Sequence, residues 1–203
     1  MKEQDFIQKI CGYAISDMKE NGILASVTIA QAILESSWGT SELAKKANNY
    51  FGMKCSLSSN SWGSVWDRVS KYTKVTNKQD EAGKIYTIKA DFRAYPDIEM
   101  SIKDHSMYLV GAMNGTEHRY CGIANEKDYR KAVEIIKAGG YATDINYVSK
   151  ICSIIKKYEL TQYDEMEELN MGIEIRKQIA TNSPCNKTGD EITVKGSMLH
   201  SVG

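Results

Sequence analysis

The sequence has no excess of either charge sign, little proline and no long apolar run. Lysine plus arginine total 26 and aspartate plus glutamate total 26, so the net charge is zero before histidine is counted. With no net charge, the chain has no overall electrostatic attraction to nucleic acid or to an anionic membrane, because such attraction needs a surplus of basic residues. No stretch approaches the run of about 18 apolar residues that a membrane-spanning helix needs. With 203 residues, 42% hydrophobic and 26% charged, the composition is that of a folded globular protein of one or two domains.

Cysteine is also sparse and unpatterned. The five cysteines contain no CxxC pair and are Cys11, Cys55, Cys121, Cys152 and Cys185. An odd number of widely spaced cysteines argues against a disulfide framework and against a thiolate metal site. We therefore expect free thiols, no bound metal and no cofactor.

Apolar residues spaced by three and four predict a mainly helical chain. The first helix covers 4–20 and ends at Asn21–Gly22. Ser26 is the expected N-cap of the second helix and Thr40 that of a short third helix. Further helices are predicted after Asp97 and at 128–137, 146–157 and 164–180.

One segment has a different pattern. Residues 71–76 and 85–90 alternate polar and apolar side chains with β-branched and aromatic enrichment, which predicts a β-hairpin with its tip in 77–83. The expected class is therefore α+β and mainly helical.

Glu35 is the residue whose position suggests chemistry. It lies at the end of the second predicted helix, among the apolar residues Ile33, Leu34 and Trp38. Burial and the negative end of the helix dipole both disfavour a carboxylate, so both raise its pKa. A carboxyl group held protonated near neutral pH is what a general acid for glycosidic cleavage needs. The alternative is an ordinary exposed glutamate on the last turn of a helix.

An ordered set of motifs surrounds this residue. Residues 30–39 read AQAILESSWG and residues 48–54 read NNYFGMK; the later strings are DFRAY at 91–95, SIKDH at 101–105 and GYATD at 140–144, followed by Tyr147. In this order they resemble the bacterial peptidoglycan N-acetylglucosaminidases of glycoside hydrolase family 73. An ordered match of several motifs is more specific than any one of them.

The resemblance implies a lysozyme-like α lobe, a small β-hairpin lobe and a sugar-binding cleft between them. It also implies that Glu35 donates a proton to the leaving oxygen, with Trp38 supporting it from behind. The predicted substrate-binding residues are Trp38, Asn48, Asn49, Phe51, Tyr120, Tyr141 and Tyr147. For the aromatic residues, core packing is the alternative.

The second catalytic group departs from the family pattern. Where the family carries a hairpin glutamate, this chain has Gln79, flanked by Lys78 and Asp80. Asp80 or Glu81 could substitute from the hairpin tip, the N-acetyl group of the substrate could assist, or the enzyme could be impaired.

The end of the chain resembles a different enzyme. Residues 195–203 read KGSMLHSVG, which is similar to the first strand of a zinc-dependent N-acetylmuramoyl-L-alanine amidase, with His200 at the first ligand position. A single histidine cannot hold zinc in a four-coordinate site. We therefore expect a catalytic domain at 1–163, a connector at 164–184 and a truncated amidase-like start at 185–203.

Together these observations predict an endo-β-N-acetylglucosaminidase that cleaves peptidoglycan. The alternatives are a muramidase on the same scaffold and a catalytically impaired wall-binding module. The expected partner is the glycan strand of peptidoglycan, without nucleic acid or membrane insertion, and the expected state is a monomer. No signal segment is visible at the N-terminus, so we expect a phage or prophage lysin, made in the cytoplasm, that acts on the cell wall.

Overall fold

Helices make up most of the part of the chain that the structure describes, and a long β-hairpin accompanies them. The computed structural model describes residues 3–57, 62–79 and 85–165. In chain order, the elements are α1 (Glu3–Asn21), α2 (Ala25–Ser36), α3 (Glu42–Ala47), β1 (Lys71–Gln79), β2 (Ile85–Arg93), α4 (Ile98–Gly111), β3 (Met113–Asn114), β4 (Glu117–His118), α5 (Tyr129–Ala138), α6 (Tyr147–Lys157) and a 3-10 helix (Leu160–Asp164). The predicted α+β, mainly helical class is confirmed. Within the described ranges, every helix falls short of the length and apolarity that a bilayer crossing requires.

Helix α2 is the centre of the helical lobe and is buried along most of its length. The expected N-cap at Ser26 is wrong, because α2 already begins at Ala25 and Leu24 occupies the cap position. The Ser26 amide instead donates to Oδ1 of Asp164 at 2.8 Å. The carboxylate of Asp164 thus accepts a hydrogen bond from an amide in the first turn of α2, which has no acceptor within the helix. Its negative charge also complements the positive end of the α2 dipole.

Helix α3 starts one residue later than its predicted cap. Ser41, not Thr40, is the N-cap, and its Oγ accepts a hydrogen bond from the Ala44 amide at 3.2 Å. The Thr40 hydroxyl donates to the Ser37 carbonyl instead. The helix ends at Asn48, whose φ of +48° places it in the left-handed region that stops helices.

The hairpin is longer than the sequence predicted. Strands β1 and β2 pair antiparallel from Lys71 opposite Arg93 to Gln79 opposite Ile85, so each strand gains three residues and the predicted tip at 77–83 starts too early. The base of β2 is joined to the preceding loop, since the Arg93 amide donates to the Met53 carbonyl at 2.9 Å.

A buried ion pair fastens the base of the hairpin to α4. Arg93 Nη1 and Asp104 Oδ2 lie 2.7 Å apart, and both side chains are fully buried. The Tyr95 hydroxyl donates to the same carboxylate oxygen at 2.7 Å. The guanidinium carbon of Arg93 lies 4.6 Å and 4.8 Å from the ring centroids of Trp62 and Trp66. The motifs at 91–95 and 101–105 therefore build this joint between the lobes.

Aspartate side chains cap the next two helices, α4 and α5. Asp97 accepts from the Met100 amide at the start of α4, and Asp128 accepts from the Arg130 amide at the start of α5. Between α4 and α5, the connection contains the two-residue strands β3 and β4. The predicted connector helix and the amidase-like start lie outside the described residues, except for Asp164 and Glu165.

Candidate active site

A cavity of about 540 Å³ opens between the end of α2, the loop after α3 and the start of α6. This volume is in the range of small-ligand sites. Four predicted site residues line it, namely Glu35, Phe51, Tyr141 and Tyr147. The other lining residues are Leu34, Gly52, Met53, Lys54, Leu57, Tyr108, Ala142, Thr143, Asp144 and Lys150.

Glu35 lies on the last turn of α2 and belongs to the cavity wall. The sequence predicted a buried carboxyl, but the side chain is exposed to the cavity. Protein atoms of the concave wall still displace part of its hydration, and this desolvation raises its pKa. Its surroundings therefore favour the protonated form, in the direction that the sequence predicted, although the group remains accessible.

Two tyrosines lie near this carboxyl. Gln31, one turn before Glu35 on α2, donates to the Tyr147 hydroxyl at 2.8 Å. The Tyr141 hydroxyl donates to the Phe51 carbonyl at 3.4 Å. Burial raises the pKa of both phenols, and the negative charge of Glu35 raises it further, as expected for groups close to one another. Both hydroxyls therefore stay protonated and can donate or accept hydrogen bonds.

The floor of the cavity rests on an uncharged histidine. The rings of Phe51 and His105 stack with centroids 3.9 Å apart and an angle of 11° between their planes. The edge of Tyr141 meets the same imidazole at 5.6 Å. Complete burial lowers the pKa of His105 to about 3, so the ring is neutral. His105 supports Phe51 and Tyr141 from behind.

Asn48 and Asn49 do not line the cavity as predicted; they hold the loop that carries Phe51. Asn49 Oδ1 accepts from the Met53 amide at 2.9 Å, and its Nδ2 donates to the carbonyls of Met53 and Arg93. Asn48 Nδ2 donates to the Tyr95 carbonyl at 3.0 Å. Amides can bridge backbone donors and acceptors at once, which suits both residues to a structural role here.

Trp38 and Tyr120 are likewise outside the lining of this cavity. Trp38 packs edge-on against Phe6 and Tyr158, at centroid distances of 6.2 Å and 5.0 Å. Tyr120 lies behind Tyr108, with the two hydroxyl oxygens 2.8 Å apart in a buried hydrogen bond. For both side chains the core-packing alternative describes their position better than the predicted contact with substrate.

The sequence reasoning missed the charged residues of the cavity. Lys54, Asp144 and Lys150 all line it, and Asp144 Oδ2 lies 2.6 Å from Lys150 Nζ. The hydrogen bond from Lys150 lowers the pKa of Asp144. Lys54 is the last residue of the motif at 48–54 and Asp144 that of the motif at 140–144. Their place in these motifs was the feature of the sequence that could have identified them as site residues.

The two candidates for the second catalytic group, Asp80 and Glu81, lie outside the described residues. In the sequence, they directly follow Gln79, the last residue of β1. Among the cavity-lining residues in the described ranges, Asp144 is the other carboxylate besides Glu35.

Comparison with known proteins identifies the family. Residues 11–160 match the Glucosaminidase family, described as mannosyl-glycoprotein endo-beta-N-acetylglucosaminidase. The chain is 35% identical over 178 residues to the exo-glucosaminidase LytG of Bacillus subtilis, covering 88% of this chain and 59% of LytG. It is 34% identical over 162 residues to a probable N-acetylmuramidase of Lactococcus lactis, covering 78% of this chain and 34% of that protein.

The fold agrees with these matches. The crystal structure of the catalytic domain of the autolysin Auto from Listeria monocytogenes superposes with a TM-score of 0.66 at 35% identity, over 80% of this chain and 87% of that domain. The glycoside hydrolase domain of FlgJ from Salmonella typhimurium, truncated at its C-terminus, superposes with a TM-score of 0.61 at 25% identity, over 78% of this chain and 98% of that one. The chain thus belongs to the glucosaminidase family of glycoside hydrolases.

Proposed function

We propose that this chain hydrolyses the β-1,4 bond on the reducing side of N-acetylglucosamine within peptidoglycan strands, with Glu35 as general acid. The observation that carries the proposal is an accessible carboxyl of raised pKa on the wall of a cavity large enough for sugar rings. Such a group can give its proton to the departing glycosidic oxygen. The relatives named as glucosaminidase and autolysin support a bacterial cell wall substrate.

The remaining cavity groups suit the binding of a polar sugar. Tyr141 and Tyr147 present hydroxyls that stay protonated. Phe51 is held in place by the stack on His105. A few fixed polar groups on a largely apolar lining are what orient a small ligand. In this proposal, these residues place the glycosidic oxygen beside Glu35.

The products identify the bond that is cut. Purified walls are digested, the new reducing ends are reduced with borohydride, and the hydrolysed sugars are read by mass spectrometry. We expect N-acetylglucosaminitol, and early fragments of mixed length because the cut is internal. N-acetylmuramitol alone would assign the muramidase alternative, which the Lactococcus relative's name keeps open. Binding to walls without new reducing ends would support the impaired wall-binding alternative.

The second group is proposed to be a carboxylate of the hairpin tip, Glu81 or Asp80, or the N-acetyl group of the substrate. Asp144 is less suited to activate water, because its oxygens already accept from Lys150 and the Asn146 amide. If the tip acts, Glu81→Gln or Asp80→Asn lowers kcat, and if the substrate assists, neither does. In the second case the first product retains its anomeric configuration, which NMR during turnover reads directly.

A further inference from the structure

Two lysines line the cavity of Glu35, one from each side. Lys54 belongs to the loop that pairs with β2, and Lys150 lies on α6. Both side chains are exposed. Neither contributes to the acid chemistry proposed for Glu35, so their place on the cavity wall needs another explanation.

The two ammonium groups differ in their partners. Lys150 is 2.6 Å from Asp144, in a half-exposed pair that offsets its charge. Within the described ranges, no carboxylate forms an ion pair with Lys54. Lys54 thus places on the cavity wall a positive charge that no carboxylate of the described ranges pairs with, in a chain whose net charge is zero.

A peptidoglycan strand offers carboxylates next to each N-acetylglucosamine. Every muramic residue carries a lactyl ether whose carboxyl is free when the stem peptide is absent, and the stem peptide has carboxylates of its own. Chitin, made of N-acetylglucosamine alone, has neither. An ammonium group can donate a hydrogen bond to a carboxylate, a neutral amide or a hydroxyl, but only the carboxylate adds the attraction of an opposite charge.

We propose that Lys54, assisted by Lys150, binds a carboxylate carried by the muramic residue and so makes the cavity select peptidoglycan over uncharged glucosamine polymers. The proposal rests on the proposed function, because it concerns the same cavity and the same strand. Lys54 supplies the main contact, since its charge is not already shared. Lys150 can add a donor because an exposed ion pair holds its partner weakly and an ammonium has three N–H groups.

Binding to matched glycans tests this. Strands freed of stem peptides carry lactyl carboxylates, and coupling these to methylamine by carbodiimide gives the uncharged counterpart. Dissociation constants are measured in a Glu35→Gln background, which prevents turnover. We expect the carboxylate strand to bind about fivefold more tightly than the amidated one, a preference that falls with added salt.

The variants assign the preference to a residue. Lys54→Gln should remove most of the difference between the two strands, Lys54→Arg should keep it, and Lys150→Gln should reduce it less. Lys131→Gln, on the exposed surface of α5 away from the cavity, is the control and should change nothing. Peptide-bearing strands form a third arm: discrimination seen only with them places the carboxylate on the stem peptide.

The inference would be overturned if the parent protein bound charged and amidated strands equally both with and without stem peptides, if Lys54→Gln weakened the binding of both forms equally, or if no strand bound. Its failure differs from failure of the proposed function. Release of glucosamine reducing ends by the unaltered chain without charge discrimination contradicts only the role of Lys54. Discrimination without release contradicts only the hydrolysis.

Discussion

Glu35→Gln is expected to lower kcat/KM on purified walls by about a thousandfold. The amide keeps the size of the side chain and its place on the last turn of α2, but it has no acidic proton for the leaving oxygen. Because the side chain is exposed to the cavity, the substitution should leave the fold intact. The release of new reducing ends, followed against time at fixed enzyme concentration, measures the loss.

Glu134→Gln is the matched control, because Glu134 is an exposed glutamate on α5 away from the cavity and should retain full activity. The pH profile gives an independent reading. Glu35 must be protonated to act, so activity falls as the pH rises through its raised pKa. Wild-type rates in Glu35→Gln would remove this residue from the mechanism.

Asp104→Asn is expected to destabilise the protein by about 3–5 kcal/mol, since it removes one partner of a fully buried ion pair and leaves the other charge uncompensated. The carboxylate accepts from Arg93, Tyr95 and the Ser64 hydroxyl, so several buried donors lose their acceptor charge together. Urea denaturation followed by circular dichroism gives the free energy of unfolding.

Asp91→Asn is the control for this prediction. Asp91 also lies on β2 and pairs with Lys71 at 2.7 Å, but both side chains of that pair are partly exposed, 54% for Lys71 and 38% for Asp91. Exposed pairs contribute little, so this variant should unfold close to the parent. Similar losses in Asp91→Asn and Asp104→Asn would show that burial does not decide the effect.

The helices could be predicted because their signals are contiguous in sequence. Asp97 and Asp128 cap the helices that follow them, and apolar spacing located α1 and α6. The start of α2 could not be predicted from Ser26, because its amide finds its acceptor in Asp164, far along the chain. Strand β1 was predicted to end three residues too early. The three residues up to Gln79 are all polar, so they interrupt the alternation of polar and apolar side chains that predicts a strand.

The candidate site was predictable only in part, since a motif shows which residues recur and not where each side chain points. Glu35 and Phe51 line the cavity. Asn49, from the same motif as Phe51, instead uses its side chain to hydrogen-bond with the backbone. Trp38, three residues after Glu35, packs against Tyr158 and does not line the cavity. Lys54 was not predicted as a site residue, because in the sequence a lysine that lines a cavity looks the same as any other exposed lysine.

The neutral imidazole of His105 lies beneath Phe51. Because this imidazole resists protonation in the fold, acid lowers the stability of the folded state but does not change the charge of the stack. An unfolded chain takes up a proton on histidine near its ordinary pKa of 6.5, but His105 in the fold resists protonation down to about 3. The folded state therefore loses stability as the pH falls between these values, because the unfolded state binds the extra proton. Across that interval the stack under Phe51 stays neutral. Acid therefore lowers the stability of the fold without charging the ring that supports the cavity lining.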